Sequence, residues 1–341
     1  MKKIKKYKMN NEIIYDFTKY KKSSKQKLYI DKISENGVVK GENNSYYKMF
    51  EIESMIKFDI ISEIVKAYKI KLSIYRLEDK HYYLMECTYT NMETAVNHFI
   101  EIENVLKHRL LERNIEIIDI DIHRLFGILN NFYNLKVDES YNKQVELENV
   151  TNELFKYEYP ENEEGFLKIN SNVYEIIFIK NYAGIEKTKE VIKELRKHNS
   201  CIKSIRVEIS YVSDSEYSNL VNFCYLDAEP QTKIVDDMYN FSYKTDLRDA
   251  ASESNTDKYL LSVTIVLEDL TETELKSRLD ALDITFKYAN YTLNKCYIEN
   301  LRRKIFQFIP FVSKCSTSYE RMVNEEIVTS FFDFIVEEKE K

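Results

Sequence analysis

The sequence predicts an α+β protein made of two ferredoxin-like βαββαβ units in tandem, each followed by a helix, with a C-terminal helical segment. Three observations predict it. Apolar-periodic segments occur in the order strand, helix, strand, strand, helix, strand, and that order is used twice. The second helix of each unit opens on the same T-x-x-E capping pattern, at 90–93 and at 271–274. Apolar residues at 44% and charged residues at 31% over 341 residues are globular values, with chain enough for two cores.

The elements follow in order. Residues 1–40 read as a basic N-terminal arm and a first strand, with Asn36-Gly37 as turn chemistry. Residues 41–137 form the first unit. SYYKMFEI at 45–52 is its opening strand, and 58–68 places Phe58, Ile61, Val65 and Tyr68 on one helical face. KIKLSIYRL at 69–77 alternates as a half-buried strand, and 81–89 is its hairpin partner. A helix with Val96, Phe99, Leu106 and Leu110 follows, then the strand IEIIDIDI at 115–122 and a helix at 123–134.

An acidic stretch at 138–164, containing Pro160, reads as a linker. The second unit spans 165–312. Its strands are expected at 172–179, 202–212, 259–267 and 284–291, its helices at 185–198 and after Thr271, and a further helix at 296–308. Where the first unit turns in three residues, the second carries an insert at 213–258, opened by Ser213 and closed by Lys258. Long inserts in compact folds are commonly functional, so this one is a candidate partner-binding surface. Residues 313–341 form the C-terminal helix.

Composition narrows the function classes. No run approaches the ~18 apolar residues needed to cross a bilayer, and the five widely spaced cysteines form no CxxC pair. A reducing cytoplasm is the expectation, with no cofactor. The net charge of −7 conceals an asymmetry: residues 1–27 carry ten Lys against Glu12 and Asp16, a local +8 that leaves −15 elsewhere. Such an arm can sit on nucleic acid or an anionic membrane surface, or simply be a solvated terminus.

Catalytic patterns are missing. The nearest fragment to a phosphate loop, around Gly184, Lys187 and Thr188, lacks both glycines that let backbone N–H groups surround phosphates. One constellation remains. Asp119, Asp121 and His123 stand at spacing two, on one face of an expected strand, where two carboxylates and an imidazole could hold a divalent metal. The alternative is an amphipathic strand with a wet outer face and an Asp capping the next helix.

The stretch at 299–336 adds a resemblance. Ile309-Pro310 ends a helix, Arg321 introduces a helix containing Glu325-Glu326, and Phe331-Phe332-Asp333-Phe334 closes it, with Asp333 where Pro is common. This pattern, with Tyr47-Lys48-Met49-Phe50 and the strand-plus-helix segment at 259–279, resembles the N-terminal region of CagE/TrbE/TraC-type ATPases of conjugative type IV secretion. The resemblance implies a non-catalytic docking and assembly module lacking its motor domain. Its implied partners are inner-membrane channel subunits, a separate motor or further copies of itself, on the cytoplasmic side and peripheral to the membrane. Arg321, Glu325, Phe331, Phe332 and Phe334 would face the motor. A nucleic-acid-binding protein using the basic arm and sheet aromatics is the competing expectation.

Overall fold

A computed structural model of the chain describes residues 4–9, 12–18, 30–52, 56–138, 166–169, 171–217, 257–289, 291–295, 309–311 and 320–337. Four short strands come first: β1 (Lys5–Met9), β2 (Glu12–Asp16), β3 (Lys32–Ser34) and β4 (Val39–Lys40). Then follow β5 (Ser45–Ile52), α1 (Phe58–Tyr68), β6 (Lys71–Leu77), β7 (Lys80–Thr88), α2 (Met92–Leu111), β8 (Ile117–Asp119) and α3 (Ile122–Asn134). The second half holds β9 (Leu167–Ile169), β10 (Asn172–Asn181), α4 (Ile185–Lys197), β11 (Ile202–Val212), β12 (Lys258–Asp269) and α5 (Glu272–Tyr288). It ends with β13 (Thr292–Lys295), β14 (Arg321–Asn324) and α6 (Glu325–Val336).

The expectation of two tandem ferredoxin-like units is overturned. The strands form one antiparallel sheet of fourteen, in the order β1-β2-β3-β4-β5-β7-β6-β11-β12-β10-β13, with β8 on β5, β9 on β10 and β14 on β12. The reason lies at one seam. β6 and β11 would be the open edges of separate units, rows of unpaired N–H and C=O groups that invite association. Here they pair with each other from Leu77 opposite Ser204 to Lys71 opposite Ser210. Charged groups reinforce the seam: Glu208 lies 3.6 Å from Lys71 and 2.9 Å from Arg206, and Ser73 donates to it at 3.4 Å.

Two apolar clusters cover the two faces. One joins Leu72, Ile74, Val207, Ile209, Val263 and Ile265 of the sheet to α1, α2, α4, α5 and α6. The other joins Tyr75, Tyr82, Leu84, Ile176 and Phe178 to α3 and to Ile309 and Phe311. Alternation along each strand sends successive side chains to opposite clusters, as the pleat requires.

Three local expectations need correction. The strand expected at 284–291 is the last turn of α5, where Leu275, Leu279, Leu282 and Phe286 continue a helical face, and the strand proper begins at Thr292. The strand expected at 115–122 ends at Asp119, because Asp121 caps α3. The first half of the basic arm is not free: β1 and β2 form the outer strands of the sheet, with Ile4, Ile14, Tyr15 and Phe17 buried. The cap at Thr271 matches its pattern, and an S-x-x-E pattern at 213–216 forms a similar one. Thr271 Oγ1 accepts from the Glu274 N–H at 3.2 Å, and Ser213 and Glu216 exchange side-chain-to-backbone bonds at 2.9 and 3.4 Å. At α2 the cap is Asn91 rather than Thr90, accepting from the Thr94 N–H at 2.9 Å. All of the linker at 138–164 beyond Asp138, the helix at 296–308 and most of the insert lie outside the described residues.

Candidate functional site

A cavity of about 520 Å³ opens between α2, β5 and β8, next to the β3–β4 turn and the start of α3. Its size is that of small-molecule pockets. Val38, Val96, Phe99 and Ile100 supply an apolar wall. The polar lining comes from Lys48, Arg124, Glu103, Asp119, Asp121 and His123, with Asn36 at the turn.

Local sequence explains each placement. Period two along β5 puts Tyr46, Lys48, Phe50 and Ile52 on one face, and the three neighbours of Lys48 enter the helix-covered cluster. Lys48 therefore points where an apolar residue would stand, and it is only 2% exposed. Its ammonium donates to the carbonyl of Asn36 and lies 5.5 Å from the Phe50 ring centre. Burial pulls this group below the ordinary lysine range, while the charges of Glu103 and Asp119 oppose that pull.

The turn that carries Asn36 is held against the α3 entrance. Gly37 has φ +78°, and a Cβ there would lie 2.0 Å from the Ile120 carbonyl oxygen, so only glycine fits. The Ile122 N–H donates to the Glu35 carbonyl at 3.4 Å, and Asn36 Nδ2 donates to Glu12 at 2.5 Å.

The sequence-predicted metal ligands all line this cavity, but they do not act together. Asp119, on β8, is bonded at 2.6 Å by Lys107, which also bonds Glu103 at 2.5 Å. Asp121 accepts from the Arg124 N–H at 2.8 Å as the cap of α3, and His123 lies one residue inside that helix. The chain leaves the strand after Asp119, so spacing two no longer means one shared face. Among the described residues no three His, Cys, Asp or Glu side chains converge to hold a metal ion. Asp119 thus stands in an ion-paired rim and Asp121 caps a helix, the capping role being the alternative the sequence offered for this triplet.

The other expected site residues are placed as follows. Arg321 is buried on β14, donating to the Glu320 carbonyl at 2.9 Å, and Glu325 lies 3.8 Å from Lys66. Phe331, Phe332 and Phe334 are buried in this chain's own core. The two apolar positions next to Asp333 pack inward because α6 lies across the sheet. Of the insert, Ser213 opens a short helical turn at 214–217, Lys258 bonds Asn324, and residues 218–256 lie outside the described residues.

Sequence reasoning missed Lys48, Glu103 and Arg124 as site residues. The signal for Lys48 was present: a lysine in phase with Tyr46, Phe50 and Ile52 on a strand whose core face it shares. Glu103 and Arg124 carry no such mark, since charged residues on helices are ordinarily solvated.

No protein-family model and no curated protein matches this chain. Among solved structures, berberine bridge enzyme from Eschscholzia californica is similar at 11% identity over 79% of this chain, with a TM-score of 0.25. The chain spans 42% of the length of that structure. A likeness of that size carries no argument about fold or chemistry. Among the described residues no helix is long and apolar enough to cross a membrane.

Proposed function

We propose that this chain is a non-catalytic docking and assembly module of a conjugative type IV secretion ATPase. It would work at the cytoplasmic face of the inner membrane, contacting channel subunits and further copies of itself. The observation that supports this reading is how the stretch bearing the family-like pattern is built in. β14 pairs with β12, and α6 packs against α1, α4, β6, β11 and β12. Arg76 and His81, both from the first half, reach the Phe334 and Ile335 carbonyls at 3.4 and 3.0 Å. These are among the carbonyls a helix end leaves without partners. Ile309 and Phe311 are buried, and the Phe311 ring meets Tyr47 edge-on at 5.4 Å. Both halves of the sheet thus converge on one helix, which suits a part that fixes the position of a neighbouring domain.

The purified chain is expected to turn over no ATP, to self-associate with rising concentration in light scattering, and to bind purified inner-membrane channel subunits. ATP hydrolysis that follows the chain through purification overturns the reading. So does a chain that stays monomeric and ignores those subunits.

A second reading, nucleic-acid binding, is favoured by β1. Lys5, Lys6 and Lys8 are exposed there around Tyr7, itself 38% exposed, on the outermost strand of the sheet. Lysines at an edge also discourage edge-to-edge pairing, which is the structural role they would have alone. Replacing all three with Ala should weaken binding to fluorescent single-stranded DNA and reduce the salt slope by about 2. If binding is absent or its salt slope does not move, β1 is an edge guard only.

A further inference from the structure

We propose that the cavity between α2, β5 and β8 binds a small monocarboxylate with an apolar body, its carboxylate received by the Lys48 ammonium. The inference rests on the cavity and is independent of the docking reading.

An ammonium has three donors. Among the described residues, the buried Lys48 group donates to one acceptor, the Asn36 carbonyl, and has no carboxylate within ion-pair distance. Glu103 and Asp119 act on that charge from beyond ion-pair distance, but a buried donor without an acceptor is itself costly. The cavity beside it gives room for an acceptor to complete the set. Arg124 adds to the demand: its guanidinium bonds Glu51 at 2.6 Å through one terminal nitrogen, while its buried Nε has no partner among the described residues.

The charges around the cavity select the kind of anion. Glu103 and Asp119 are already held by Lys107, and Asp121 is engaged in capping α3. They still leave a rim with acidic character, which repels a doubly charged phosphate more than a single carboxylate. His123 and Arg124 at the start of α3 sit on the same side, at a helix end that favours negative charge. Val38, Val96, Phe99 and Ile100 form the apolar wall that an aliphatic or aromatic body would cover. A free inorganic anion would leave that wall wet.

Calorimetry on the full chain with octanoate and phenylacetate tests this, with phenylacetamide as the uncharged match and inorganic phosphate as the bodiless anion. Saturable binding of at least one carboxylate is expected, weaker by about tenfold or more for phenylacetamide, since a hydrogen bond to a charged group is worth ~1.5–3 kcal/mol. Lys48→Met should lose binding to a similar degree. Because that variant removes a buried group, Ile100→Trp serves beside it. Ile100 is 42% exposed on α2, so a larger side chain there fills the cavity from the surface. It should abolish binding while leaving the melting curve unchanged. The proposal is overturned if neither carboxylate binds at millimolar concentration, if phenylacetamide or phosphate binds as well as they do, or if both variants bind normally.

Discussion

Replacing Phe332 with Ala should destabilise the whole chain by about 3–5 kcal/mol, the usual cost of deleting a large buried aromatic. Phe332 is 0% exposed, and its ring centre lies 5.2 Å from that of Phe58 on α1, which in turn lies 5.7 Å from Tyr259 on β12. One side chain thus links α6 to a helix of the first half and a strand of the second. The site cannot collapse easily, because Phe331 beside it is pinned edge-on against Tyr182 at 5.7 Å. Since β6 and β11 make the sheet continuous, the loss should fall on both halves together. Urea unfolding followed in parallel by far-ultraviolet circular dichroism and tyrosine fluorescence reads this directly. One transition, displaced to lower urea by the same amount in both signals, is the expected result. Two transitions, only one of them displaced, would mean that the halves unfold as separate units despite the shared sheet.

Most individual elements were legible. Strands β10, β11 and β12 announce themselves by alternation, and α1 and α4 by apolar faces at helical spacing. The pairing of β6 with β11 was not. Which strand lies beside which is a property of two segments, and each of these reads the same whether its edge is solvated or paired. The C-terminal end of α5 was misread for a different reason. Ile284, Thr285, Phe286 and Tyr288 are all residues that favour strands, but Leu275, Leu279, Leu282 and Phe286 were already in helical phase, and burial of that face decided the outcome. The outer hairpin was hidden by charge. Lysines on both sides of Ile13 and Ile14 gave the whole segment the look of a tail, although Ile14 is fully buried.

The site was legible only in outline. Asp119, Asp121 and His123 do share a cavity wall, but through a strand end, a cap and a helix start rather than one strand face. Periodicity can report which residues share a face only while the element lasts, and β8 lasts three residues. Lys48 shows the opposite case. Its phase on β5 put it in the core, and a charged residue in a core position is an informative exception. At the Phe-rich end of α6, a pattern resembling a domain boundary suggested an outward face, whereas seven of the helix's twelve residues are buried apolar side chains.

That burial also sets how the protein responds to acid. His81 is 8% exposed on β7, its Nε2 lies 3.0 Å from the Ile335 carbonyl, and burial together with the charge of Arg76 pushes its pKa down to about 4. With Nε2–H donating to that carbonyl, the ring is neutral in the folded protein. An unfolded histidine titrates near 6.5. Between about pH 6.5 and 4 the unfolded chain therefore holds a proton that the folded chain does not, and stability falls as pH falls through this window. The full effect is about 3 kcal/mol, with ~2 kcal/mol lost by about pH 5. Urea midpoints measured between about pH 7 and pH 5 should show this loss. His81→Gln keeps a donor for Ile335 but cannot take up a proton, so its curve should be flatter by the same amount. If wild type and variant lose stability in parallel, the acid sensitivity resides in other groups and the α6 C-terminus is held without regard to His81.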